Sequence, residues 1–124
     1  MAGKIIADTL ETGAGADIAT SYVVNGSAKA WVKFTTVTTT AADNSFNISS
    51  LDDDGTGDFG INFTNSMSSA EYSAPSSAGE DNRTVYTNFG TVSSSGMDGQ
   101  VRQTTTNAVV DTARNSIEIL GDLA

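Results

Sequence analysis

Asn25-Gly26-Ser27-Ala28-Lys29-Ala30-Trp31-Val32-Lys33-Phe34 opens the stretch that decides the fold, and the run from Phe46 to Phe63 completes it. Ala28, Ala30, Val32 and Phe34 alternate with Lys29, Trp31 and Lys33, the period of a strand with one buried face. Phe46 and Ile48 precede Asp52-Asp53-Asp54-Gly55-Thr56-Gly57-Asp58, and Phe59, Ile61 and Phe63 follow it, again at period two. Apolar alternation on both sides of a Gly/Asp-rich loop predicts a hairpin. Between the Trp31 strand and this hairpin, Thr35 to Ala42 is nearly all Thr, Val and Ala, which predicts an exposed strand edge or loop. No catalytic constellation lies in the stretch.

Toward the amino terminus, Lys4 to Thr12 carries Ile5, Ile6 and Leu10 and reads as a short strand or an extended arm. Gly13-Ala14-Gly15-Ala16-Asp17 forms a flexible joint, and Ile18 to Val24 follows as extended chain up to the turn dipeptide Asn25-Gly26. Residues 1–24 are thus an amino-terminal arm or first strand, and residues 25–124 a β-rich domain. An arm, a Gly-rich joint and a compact domain suit docking on a neighbour, with Met1 to Asp17 as the candidate anchor. The alternative is an ordinary first strand on the same sheet.

Toward the carboxyl terminus, Glu71 to Ala74 reads as a short strand stopped at Pro75, the only proline. Ser76 to Arg83 reads as an acidic loop. In Thr84 to Val92, Val85, Thr87 and Phe89 alternate with Tyr86, Asn88 and Gly90, a half-buried strand. Met97 to Thr105 is a polar strand, and Ala108 to Ala113 with Ile117, Ile119 and Leu120 supplies the last strand or two. Turn signals recur about every ten residues and no helical period persists, the pattern of an antiparallel β-sandwich or open barrel.

Composition narrows the function. Apolar residues make up 38% of 124 residues and aromatics 7%, while Thr, Ser, Asn and Gly are abundant. Small hydroxyl side chains bury little apolar area, at roughly 25 cal/mol per Å2, so sharing a core with copies of itself brings the largest gain. The net charge is −9, from 15 acidic and 6 basic residues. Lys4, Lys29, Lys33, Arg83, Arg102 and Arg114 are scattered, which speaks against nucleic acid and against an anionic membrane surface. Without cysteine or histidine there is no thiol chemistry, no Cys/His zinc site and no Ser-His-Asp triad. No cleavable signal and no membrane-spanning run are read, which implies synthesis in a cytoplasm.

Each feature that resembles a site has a plainer reading beside it. Asp52, Asp54 and Asp58 with intervening glycines suggest calcium, yet the run lacks the Glu that closes an EF-hand-type loop, and hairpin chemistry alone accounts for it. Trp31, on one strand face with Lys29 and Lys33, is either a stacking platform for a sugar or a residue packed in a subunit interface. Glu80 and Asp81 form a carboxylate pair, the type used in glycoside hydrolysis, but lie in a polar loop with no apolar wall nearby in sequence. Four Asn-X-Ser/Thr matches, beginning at Asn25, Asn47, Asn62 and Asn82, reflect the abundance of Asn and Thr. No catalytic, cofactor-binding or metal-binding residues are assigned.

Val24 to Phe34, then Ser45-Phe46-Asn47-Ile48-Ser49-Ser50, Gly55-Thr56-Gly57-Asp58 and Asn62-Phe63-Thr64, resemble a small structural module of bacteriophage particles, the tail-fibre type of marine and cyanobacterial phages. Met67, Ala70, Tyr72 and the lead-in from Lys4 also fit, so the resemblance covers residues 4–74 and weakens after Pro75. It implies a β-rich, commonly trimeric module without catalysis, made in the host cytoplasm and carried on the virion. The expected function is a tail-fibre or adhesin element for host attachment, with the alternative of a capsid decoration protein. The expected partners are its own copies, other virion proteins of tail or capsid, and a host surface glycan. Pro75–Met97 loops are the candidate outward surface.

Overall fold

Ten strands and one helix of about two turns follow in order along the chain in a computed structural model that describes residues 6–11 and 13–124. Of Phe89 and Gly90 only the strand placement is described. β1 (Thr9–Glu11) pairs with β2 (Asp17–Ala19) as a small hairpin, and α1 (Thr20–Gly26) leads from it into the body of the protein. The body contains β3 (Ala28–Thr35), β4 (Ala41–Phe46), β5 (Ile48–Gly55), β6 (Asp58–Phe63), β7 (Ser76–Ala78), β8 (Arg83–Ser93), β9 (Gly96–Gln103) and β10 (Asn115–Leu120). They form two four-stranded antiparallel sheets, ordered β4-β3-β10-β7 and β5-β6-β9-β8. The two sheets are separate and packed face to face, so of the two expected architectures the sandwich is realised.

The inner faces follow from the alternation. Ala30, Val32 and Phe34 of β3 and Ile117 and Ile119 of β10 meet Phe59, Ile61 and Phe63 of β6 and Met97 and Val101 of β9 in one buried cluster. Phe34 and Phe59, both 0% exposed, cross the two sheets in an edge-to-face pair with centroids 4.8 Å apart. That geometry adds to the area term, which for each large side chain is about 1.5–3 kcal/mol. Met67 and Tyr72 close one end of the core from the 64–75 connection. The Tyr72 hydroxyl shares its one proton between Ser93 O at 3.1 Å and Gly96 O at 3.0 Å, tying that connection to the β8–β9 turn. At the other end, Thr36, Thr112 and Asn115 form a buried polar network in which Thr112 N donates to Thr36 Oγ1 at 2.9 Å.

Several local expectations are corrected. Phe46 and Ile48 do not share a strand: Asn47, at φ 58°, is a corner where the chain leaves one sheet for the other. Its side-chain amide donates to Lys29 O at 3.0 Å and Asn65 O at 3.1 Å, replacing the backbone bonds the corner breaks. Phe46 therefore faces outward, 55% exposed. The Thr35–Ala42 run is not simply exposed, because Thr36 and Thr40 are buried. Residues 20–26 are helical, not extended, and residues 9–19 fold back on themselves where the sequence suggests a strand or extended arm. Residues 1–5 and 12 of that arm lie outside the described residues.

Farther along, the strand expected at Glu71–Ala74 is a lone bridge from Ser73 to Leu120, and the true strand β7 begins just after Pro75, on the sheet edge where a proline is tolerated. Within Pro75–Met97, the strand read at Thr84–Val92 is present as β8, while the loop read at Ser76–Arg83 begins with the short strand β7, so less of this range is loop than expected. Of Ala108–Ala113, only Val109 makes a strand-like bridge, to Arg102.

Candidate functional site

The hairpin predicted around Asp52–Asp58 is present, with β5 and β6 joined at Thr56-Gly57. Gly57 is required there on two counts. Its φ is +64°, and an added Cβ would stand 2.4 Å from Val110 O. The close approach is used: Gly57 N donates to Asp111 Oδ1 at 2.6 Å, and Val101 N donates to Gly57 O at 2.8 Å. The turn is thus docked on the 108–111 segment, and hairpin structure explains its Asp and Gly residues.

The carboxylates themselves spread along strands. Asp52 lies opposite Gly60, Gly60 opposite Asp98, and Asp98 opposite Asn88; Asp58 lies opposite Gln100, and Gln100 opposite Tyr86. These residues share one parity, so they make up the outer face of the β5-β6-β9-β8 sheet. An added Cβ on Gly60 would meet Asp52 Oδ2 at 3.1 Å and Asp98 Oδ1 at 3.3 Å, so both carboxylates lean over one bare stretch of backbone. Asn62 Nδ2 donates to Asp52 Oδ2 at 2.8 Å and holds it there. Asp54 is exposed as a residue, yet its carboxyl borders a depression with Asp58 and Asp98. Partial desolvation, then the charges of Asp98, Asp52, Asp58 and Asp53, raises its pKa above the ordinary carboxylate value. Among the described residues no group of three or more His, Cys, Asp or Glu is arranged to hold a metal ion, so the calcium reading gains no support.

The opposite outer face, on the β4-β3-β10-β7 sheet, has a different chemistry. Trp31, half-buried, sits across from Phe46 on one side and Glu118 on the other. Lys33, beside it on the face, reaches Asp43 at 3.9 Å in an exposed pair. Lys29 is buried, and its ammonium donates to Val24 O at the carboxyl end of α1, to Ser27 O at 3.2 Å and to Ser27 Oγ at 2.7 Å. A cation on the last carbonyls of a helix is favourable, and here it fixes the helix against the sandwich. The two lysines expected on one strand face with Trp31 have separate structural tasks.

That helix belongs to an appendage with little of its own to bury. None of its residues is buried, Tyr22 is 75% exposed, and Val23 and Val24 on α1, Leu10 on β1 and Ile18 on β2 are exposed as well. Thr20 N donates to Asp8 O at 2.9 Å and ties helix to hairpin. Glu80, considered above with Asp81, is engaged in the fold: its Oε1 accepts from Ala113 N at 2.7 Å.

The residues that sequence reasoning missed are Tyr86, Asn88, Asp98, Gln100 and Arg102. Their common parity within β8 and β9 was the available signal, but it becomes a surface only once the register pairs Tyr86 with Gln100 and Asn88 with Asp98. Comparison of the chain with protein-family models, with curated proteins and with solved structures finds no match. No helix among the described residues is long and apolar enough to cross a membrane.

Proposed function

We propose that this chain is a non-enzymatic structural protein of a bacteriophage particle, a tail-fibre or adhesin-type element that works as a homotrimer and attaches through its amino-terminal segment. The observation that carries the reading is the appendage of β1, β2 and α1, which leaves Leu10, Ile18, Tyr22, Val23 and Val24 exposed beside a well-packed sandwich. Large apolar side chains exposed together on one short appendage mark a candidate protein contact. The resemblance over residues 4–74 supports the particle as the setting. Partners are then other copies of the chain, virion proteins at the anchor and a host surface glycan, with three copies raising the apparent affinity of weak single sites.

Gold-labelled antibody on intact particles, with wild type and a Tyr22→Asp/Val23→Asp variant, tests the reading. Label on distal tail appendages, lost in the variant, is the expected result. Label spread over the head would replace the adhesin assignment with capsid decoration. No label on particles would refute both. The substituted residues are exposed, so the variant is expected to fold.

A further inference from the structure

We propose that the outer face of the β5-β6-β9-β8 sheet binds an amine-bearing glycan chain, with Tyr86 as the stacking platform. The inference deepens the attachment reading and rests on it for its biological setting. Two adjoining depressions lie on this face. One of about 290 Å3 is lined by Tyr86, Thr87, Asn88, Gln100 and Arg102; the other, of about 320 Å3, shares Asn88 and Gln100 and reaches Asp54, Asp58 and Asp98. Each is near the lower end of the range for small-ligand sites, roughly 300–1,000 Å3.

Tyr86 is 55% exposed in the middle of a long strand, where an apolar ring gains nothing from solvent. Its position is set by Arg102, whose guanidinium lies 5.5 Å from the ring centroid. Arg102 is in turn fixed by donating from Nε to Gln100 Oε1 at 2.9 Å. A pre-positioned ring with few rotatable bonds binds with little entropy loss. Around it stand amide and guanidinium donors and carboxylate acceptors, the mixture that sugar hydroxyls require. A peptide joining a sheet needs the unpaired backbone of an edge. Between the edge strands β5 and β8, β6 and β9 are paired on both sides, so the middle of the face, with Asp58, Asp98, Gln100 and Arg102, offers side chains only.

Charge decides which glycan. Asp52, Asp54, Asp58 and Asp98 share this face with Arg102, the one cation among its described lining residues, so uronic, sialic and sulfated sugars are repelled. The two carboxylates that converge over Gly60 are placed for one ammonium group to bridge them with charge-assisted hydrogen bonds. The sugar rings would stack on Tyr86 while an amino substituent reaches the Asp52/Asp98 pair.

Calorimetric titration of the isolated full chain with de-N-acetylated chito-oligosaccharides, their N-acetylated counterparts and oligolysine tests this. The amine form is expected to bind at least about tenfold tighter than the acetylated form. Tyr86→Ala is expected to weaken it about tenfold, Tyr86→Phe to retain it, and neither to change oligolysine binding. Equal binding of amine and acetylated forms, no binding of either, or Tyr86→Ala without effect would overturn the proposal. Binding is read on the isolated chain, so its failure leaves the particle-labelling result standing, and failure of the labelling leaves the binding result standing.

Discussion

The two outer faces of this sandwich are built on the same core by the same alternation, yet they differ in almost every property. One carries Trp31 opposite Phe46 and adjoins, through Lys29, a helix with no buried residue. The other carries Asp52, Asp54, Asp58 and Asp98 with one exposed aromatic ring among the described residues, Tyr86. Packing places no demand on either set, since both point away from the core. The net charge of −9 keeps copies apart generally; the acidic face concentrates that repulsion, while on the aromatic face Lys33 offsets part of the charge of Asp43 and Glu118. The proposed assembly takes its orientation from this difference: copies and anchoring partners would meet the aromatic side, leaving the acidic side outward for the proposed ligand.

The largest expected effect abolishes the comparison altogether. Phe59→Ala removes the β6 half of the edge-to-face pair with Phe34 and is expected to cost about 3–5 kcal/mol in denaturant unfolding. In a domain of this size that is a large share of the stability, roughly 5–15 kcal/mol, so both faces lose their support together. Tyr72→Phe comes next. It removes the O–H that Ser93 O and Gly96 O share, while Gly96 O keeps the Ser93 hydroxyl at 3.2 Å, and is expected to cost about 1–3 kcal/mol. Burial pushes the Tyr72 hydroxyl up to about 12, so the folded state holds this proton more tightly than the unfolded chain does. The corresponding stability is complete below the ordinary tyrosine value near 10.0 and is lost as pH rises to about 12. Wild-type unfolding curves are expected to show that alkaline loss and Tyr72→Phe to lack it.

The smallest effect sharpens the comparison. Asp54 has its proton affinity raised by desolvation and by its acidic neighbours, so its contribution to stability falls as pH rises from the ordinary carboxylate value through the raised one. Asp54→Asn is therefore expected to stabilise slightly at neutral pH and to be neutral below the ordinary carboxylate range. The group is largely exposed, so salt should erase most of the gain. An equal gain at low pH would show that the acidic face carries no mutual repulsion.

Legibility differed along the same division. The buried parity of β3, β6 and β10 was readable because Val, Ile and Phe recur at period two, and the Thr56-Gly57 turn announced the hairpin. What one strand alone conceals is its partner. Phe46 and Ile48 look like one alternating run, and only Asn47 turning the chain into the other sheet separates them. Residues 20–26 contain Tyr22, Val23 and Val24, favourable for strands, and became helical beside a buried lysine that caps their last carbonyls. The acidic face was half visible as the Asp52–Asp58 run. Its other half, Tyr86 to Asn88 and Asp98 to Arg102, is distant in sequence and enters only through cross-strand register.

The central claim is that the aromatic side and its appendage serve assembly. Light scattering of the purified chain beside Tyr22→Asp and Phe46→Asp variants tests it most directly. The expected result is a mass three times 12.8 kDa for the wild type and 12.8 kDa for folded variants. A wild-type chain that remains at 12.8 kDa at high concentration would contradict it.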